Sequence, residues 1–455
     1  MKRSRQGSVT LFIMVFILTM VSMIMTFVYE SREDAVKSTS HFLGNLWCES
    51  VLAEYDFDLR ERYNIFGFYG DEHEINNRLD FYANKTYGMK KYISYGGVSC
   101  SLYEHRLANV GVMKKQIVHV GKLLSIKKIV IPKSDESSFY PKSRNGHKGY
   151  HSTLTEPGEK RSTEKNERDN VTRSNSETDV KEKNAEIRNE KIIASLPSNG
   201  SKSGITVTGL AGKLKLSGSA KYLFQKGTDQ YFEMAYIMNY FKSRLGGGSG
   251  ESFFDQEIEY IVAGKTSDAA NQRSVRRKIV AVREIANLAF VVKDPKMQAE
   301  LVVLSQSLTP GPFAEVTKKL LTAGWALAES YNDYQLLVNG KKVPAIKTAD
   351  SWAIDLESII KQKPKKEGDL PKISSRVHYI DPGNKIGDEY EDYIKLMLYV
   401  TDEDVRLLRI MDLIQINMIH CYNGDFRLRD YSDGLKVRFH VNGDDCNIEK
   451  EYQPV

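Results

Sequence analysis

Gly264-Lys265-Thr266 is the closest approach in this chain to the end of a phosphate-binding loop, where a glycine-rich turn cradles phosphate oxygens and a lysine neutralises them. Such a loop needs an earlier glycine where Glu259 stands, and a strand ahead of it that the sequence does not offer. His73-Glu74 begins a zinc-protease helix signature, but Asn77 occupies the place of the second histidine. There is no GxSxG elbow, and Cys48, Cys100, Cys421 and Cys446 lack the CxxC spacing of a zinc site. Asp402, Glu403 and Asp404, and separately Asp444 and Asp445, offer oxygen ligands without the spaced ligands and glycine of a calcium loop. The first group reads as acidic charge at a helix start and the second as turn chemistry. Arg273, Arg276, Arg277 and Arg283 give one helix a basic side, a solvated face or a patch for phosphate or teichoic acid. Trp47, Trp325 and Trp352 stand where core packing is the ordinary role of an aromatic ring. The expectation is a non-enzymatic protein with no catalytic, cofactor-binding or metal-ligating residues.

The element that organises the chain is Val9 to Val28, twenty consecutive uncharged residues, VTLFIMVFILTMVSMIMTFV. At about 1.5 Å per residue, roughly twenty residues cross a hydrocarbon core of about 30 Å. Lys2, Arg3 and Arg5 precede the run and Glu30, Arg32, Glu33 and Asp34 follow it. Cationic flanks stay cytoplasmic, so residues 1–8 are expected inside, 9–29 in lipid and everything beyond outside. A cleaved signal would end in a small-x-small site, which TFVYESRED lacks, and a buried core helix would carry a polar stripe.

Helical periodicity continues past the span through Val36, Leu43, Leu46, Trp47, Val51 and Tyr55, so one helix from about Ser8 to about Asp56 is expected, with Gly44 a weak point. Tyr63 to Gly70 reads as a strand, Asp71 to Tyr87 as a helix and Gly97 to Arg106 as a second strand; Val110 to Val130 is ambiguous. Residues 30–131 then form the long helix plus a small α+β unit. Residues 132–203 are rich in Ser, Asn, Lys, Glu and Arg with few apolar residues, and are expected to be a disordered linker. Residues 204–455 form a mainly helical unit: ITVTGLAGKLKLSG as a hairpin, helices over Glu251–Val262, Ser267–Val292, Lys296–Leu308, Phe313–Tyr331, Glu389–Tyr399 and Asp402–Ile419 with Thr401 as N-cap, then strands Phe426–Asp430 and Leu435–Val441 turning near Asp433-Gly434. The fold class is α+β, mainly α.

A net charge of +6 over 455 residues, with no dense Lys/Arg block, argues against nucleic-acid binding. Export would permit disulfides, and one between Cys421 and Cys446 would close a short loop, with free buried thiols the alternative.

The basic leader, Gly7, the apolar run and a helix continuing through FLGNLWCESVLAEYD resemble the TadE/TadG-like minor pilins of tight-adherence pili. EYIVAGKTSD, AGWALAES, GKKVPAIK, YIKLMLYV and RIMDLIQINM resemble an uncharacterised extracytoplasmic family of Gram-positive Tad-type pilus loci. The resemblance implies a pilin-like structural or assembly component whose partners are membrane lipid and other pilus or secretion-apparatus proteins. It also implies prepilin-type processing between Gly7 and Ser8. Prepilins carry a glutamate five residues past the cut, where this chain has Phe12, which implies a membrane-resident component or minor initiator rather than the repeating subunit. A membrane-tethered module binding cell-wall polymers is the alternative.

Overall fold

The computed structural model describes residues 4–88, 90, 92–130, 185–188, 190–200, 228–248, 250–361 and 379–452. Most of the expected linker, and the hairpin expected at ITVTGLAGKLKLSG, lie outside these residues. Over the described residues the fold is mainly helical with two small sheets.

Helix α1 is one unbroken run of 49 residues, Ser4–Leu52. Its apolar part is exposed, from Val9 at 58% to Tyr29 at 62%, and is long and apolar enough to cross a membrane. Farther along, Ser40, Gly44, the pair Trp47 and Cys48, and the pair Val51 and Leu52 are buried, recurring every three or four residues so that they form one stripe. That stripe packs on a sheet of strands β2 (Tyr95–Ser101), β4 (Gly434–Val441) and β5 (Asp444–Glu451), ordered β2-β4-β5 and antiparallel throughout. A Cβ at Gly44 would run into Ile448 Cδ1 and stand 3.0 Å from the Phe439 ring. The glycine expected to weaken the helix is what lets it lie close to the sheet.

Leu435, Val437, Phe439 and Val441 face the core while Lys436, Arg438 and His440 face water, the period of two that a one-sided sheet requires. The hairpin turns at Asn442-Gly443, with φ of 54° and 87°, and not at Asp433-Gly434. Asn-Gly supplies two left-handed residues at low steric cost, which suits the twist of a tight hairpin. The strand expected over Phe426–Asp430 is replaced by a 3-10 turn at Leu428–Asp430.

Helix α2 (Phe57–Tyr63) ends on the first residue of the segment expected as a strand, and of that segment only Phe68–Tyr69 form a strand, β1, paired with β3 (Tyr431–Ser432). Helix α3 (Glu72–Tyr87) is capped by Asp71, which accepts from Glu74 N, and turns Ile75, Leu79, Ala83 and Tyr87 to the α1 core. The ambiguous Val110–Val130 is helix α4.

Residues 185–188 and 190–200, inside the expected linker, pack on the folded unit: α5 (Glu190–Ser195) precedes a turn at Pro197–Gly200, and Ile187 and Leu196 are buried. The remaining helices are α6 (Thr228–Tyr240), α7 (Glu257–Ala263), α8 (Asp268–Lys293), α9 (Pro295–Leu308), α10 (Ala314–Val338), α11 (Leu356–Lys361), α12 (Tyr390–Val400) and α13 (Glu403–Cys421). Helix α9 has Pro295 in its first turn behind Asp294, and α13 is capped by Asp402 instead of Thr401. Leu59, Tyr63, Ile117 and Val120 share one core with Tyr236, Phe241, Ile258 and Ile410. The segments expected as two soluble units are therefore one: Met1–Ser125 and Asn184–Val455 form a single compact unit, and Ile126–Lys183 is separate. β2 and β4 pair across the intervening segment because the sheet needs strands from both sides.

Candidate functional site

Among the described residues, four places hold groups capable of chemistry, and in the first three these groups are engaged by the fold itself. Gly264, read as the end of a phosphate loop, is the left-handed C-cap of α7, with φ +62° and its N–H on Tyr260 O. Its carbonyl neighbours are occupied: Arg409 Nη1 donates to Ile261 O at 2.9 Å and Lys278 Nζ to Val262 O at 3.0 Å. Two cations at a helix C-terminus complement its negative end.

The second place is a set of carboxyl groups in the helical core. Glu257 accepts from Lys242 N at 2.8 Å and from Asn417 Nδ2 at 2.6 Å, and Glu259 from Arg244 N at 3.0 Å and Tyr390 OH at 2.8 Å. Asp412 accepts from Ser198 N at 2.9 Å and Tyr260 OH at 2.8 Å. Glu233 receives a bidentate pair from Arg406, Nε to Oε1 at 2.6 Å and Nη2 to Oε2 at 2.7 Å. Burial pushes all four carboxyl groups up, against hydrogen bonds and cations that pull them down. All are essentially inaccessible, at 1% exposure or less. Their donors tie α6, α7, α12, α13 and the 3-10 turn together, which is a structural use of buried polarity.

The third is an ion network between α8 and α10. Lys347 Nζ lies 2.6 Å from Glu329 Oε1 and 2.7 Å from Asp333 Oδ1, and Arg283 Nε lies 3.0 Å from Asp333 Oδ2. Arg283 Nη1 also donates to Tyr393 OH at 3.1 Å. The basic face expected from four arginines is thereby reduced: Arg283 is buried in this network, Arg276 is half-buried, and Arg273 and Arg277 remain exposed. Trp325 and Trp352 are core residues in edge contact, and Trp47 packs edge-on against Phe439.

The fourth lies beside the sheet. His105, Asp433 and Glu451 bring one ligand-type atom each to within 4.8 Å of one another. The sequence carries no local signal for it, because His105 is more than 300 positions from Asp433 and Glu451 along the chain. A cleft of about 330 Å³ opens where α1 meets the β4–β5 turn, lined by Glu33, Lys37, His41, Asp444, Asp445 and Cys446. Lys37 and Asp444 pair across it at 2.9 Å. Asp444 and Asp445, read as turn residues, begin β5 just past the turn, and Asp402 to Asp404 head α13 as expected.

Gly7 and Ser8 both lie inside α1. The disulfide expected between Cys421 and Cys446 is not formed, and all four thiols are free. Cys421, at the end of α13, donates to Glu251 O at 3.4 Å and receives Arg62 Nη1 at 3.8 Å. Cys446 instead packs with Cys48 and Cys100 in the core under α1, which does not include Cys421.

Neither a curated protein nor a solved structure matches the chain. Residues 158–443, more than half of the sequence, match a family described as a family of unknown function. That stretch takes in the helical core and its buried polar networks and ends in the Asn442-Gly443 turn, so the chain belongs to the family of unknown function DUF5702.

Proposed function

We propose that this chain is a non-enzymatic, single-span membrane protein acting as a pilin-like structural or assembly component of a Tad-type pilus or secretion apparatus. Residues 1–8 face the cytoplasm and the folded unit lies outside. The observation that carries the reading is α1: one continuous helix is fully exposed and apolar over its first half and buried against a sheet over its second. Anchor and scaffold are the same rigid rod, so a displacement of the anchor in the bilayer is passed directly to the folded unit. The charge flanking the run supports the orientation. The non-enzymatic reading is supported by the perturbed carboxyl groups, which sit in a closed core where each accepts hydrogen bonds from the fold itself. The polymer-binding alternative loses support because Lys278 and Arg283 of its basic helix are buried.

Intact-mass analysis of membrane and sheared-surface fractions from a host carrying the apparatus tests this. A terminus at Ser8 in the sheared fraction marks an incorporated subunit, and an uncut chain in the membrane marks an anchored assembly component. Recovery from both fractions of only a chain lacking residues 9–29 would refute the reading.

A further inference from the structure

We propose that His105, Asp433 and Glu451 form a binding site for a divalent transition-metal ion of the zinc type. The three ligands come from three segments: a 3-10 turn at Tyr103–His105, the residue ahead of β4, and the last residue of β5. Backbone bonds hold them together, with Asp433 N donating to His105 O at 2.8 Å and Tyr452 N to Asp433 O at 2.9 Å. His105 and Asp433 are each 5% exposed, and Glu451 is exposed at the rim. Gly434 makes room for the ring: a Cβ there would stand 2.6 Å from His105 Nδ1 and 2.5 Å from Lys450 O.

His105 Nδ1 lies 3.2 Å from Asp433 Oδ1. Tetrahedral zinc with N and O ligands at about 2.0–2.2 Å has ligand–ligand edges of about 3.3–3.5 Å, so this separation suits two ligands of one ion as well as a hydrogen bond. The other ring nitrogen bears on a metal at Nδ1 against a neutral ring. Nε2 is buried and makes no hydrogen bond, yet it sits 3.5 Å from Glu449 Oε1. With a metal on Nδ1 the ring proton must lie on Nε2, facing Glu449, the outer carboxylate that metal-bound histidines ordinarily hold. A neutral ring donating Nδ1–H to Asp433 leaves Nε2 buried without a donor, whereas an imidazolium donating from both nitrogens is the metal-free arrangement that zinc uptake tests against.

Charge favours the same occupant. Asp433, Glu449 and Glu451 surround one imidazole, while Lys436 and Lys115 approach Glu449 and Glu451 only to 3.7 Å each, from largely solvated side chains. A nitrogen donor with few oxygens suits zinc better than calcium, which takes six to eight oxygens. Three protein ligands leave one tetrahedral position to water. The ion would fasten the turn after β2 to both ends of the β4–β5 hairpin, joining the parts of the chain on either side of Ile126–Lys183.

The test uses the full-length chain in detergent, stripped with chelator and titrated with zinc sulfate in a calorimeter. One equivalent is expected to bind with micromolar or tighter affinity, calcium chloride to give no saturable heat, and cobalt to give a visible tetrahedral spectrum. Glu451→Gln, a change of charge without change of shape at an exposed position, should weaken zinc about tenfold or more, and His105→Gln should abolish the cobalt spectrum. Absence of saturable zinc uptake, or equal affinity in wild type and Glu451→Gln, would overturn the proposal.

Discussion

Replacing Arg406 with methionine should cost this protein more than any loss of surface charge. Arg406 and Glu233 are both 0% exposed and meet through two charge-assisted bonds of 2.6 and 2.7 Å. Arg406 Nη1 also donates to Leu398 O at 2.8 Å and Thr401 O at 3.0 Å, the carbonyls that close α12. The substitution leaves Glu233 buried without its cation, and breaking a buried pair on one side costs about 3–5 kcal/mol. Burial already raises the Glu233 carboxyl with Arg406 in place, so in the variant it protonates at still higher pH and the loss is smaller in acid than at pH 8. Removing both partners, Glu233→Leu with Arg406→Met, takes away the uncompensated charge and leaves only two α12 carbonyls unmatched, at about 1–3 kcal/mol each. The double variant should therefore be more stable than Arg406→Met alone. Urea unfolding of the full chain in micelles, followed by circular dichroism, reads the midpoints directly. A loss below about 1 kcal/mol for Arg406→Met, or a double variant no better than the single, would refute the argument.

Other substitutions probe the remaining contacts. Gly44→Ala should loosen α1 from the sheet by about 1–3 kcal/mol, because its methyl meets Ile448 and Phe439, and Ile448→Ala in the same chain should recover part of that loss. Gly264→Ala should lower the urea midpoint by more than a kilocalorie's worth, since φ is +62° and the Arg409 guanidinium lies 2.6–2.7 Å from the new methyl. Burial lowers Lys278 from 10.5 to about 8, so the folded state holds its proton less tightly than the unfolded chain. Stability from this group is lowest below pH 8 and is regained as pH rises toward 10.5. Lys278→Met should then be the more stable protein at pH 7, by an amount on the order of 2 kcal/mol, with the difference closing above pH 10 in paired melting curves. A constant difference across that range would remove burial of the ammonium as the cause.

The sequence is most legible where the signal is local and repeated. The apolar run and the continuing stripe from Val36 to Val51 gave α1 nearly to its ends, and the Pro295 and Asp402 starts placed two later helices within a residue or two. Asn442-Gly443 was a readable hairpin signal, but the composition of Asp433-Gly434 is equally turn-like, and only the pairing of β4 with β5 distinguishes them. Buried charge was not legible. Arg283 reads as solvated until Asp333, fifty positions away, is placed against it, and Arg406 until Glu233, at a separation of 173, is found beside it. The same holds for His105 and Asp433, separated by 328 positions, which no spacing rule could have joined. Gly44 was misread for a related reason, since a glycine's cost in a helix is local and its packing value depends on Ile448.

The central claim is that α1 carries the folded unit across a membrane to its outer side. Single cysteines at exposed Thr39 and Glu357, in a chain freed of its own four, can be labelled on intact cells with a membrane-impermeant maleimide. The account predicts that both label without lysis and that the protein sediments with membranes until detergent is added. Labelling only after lysis, or a protein soluble without detergent, would contradict it.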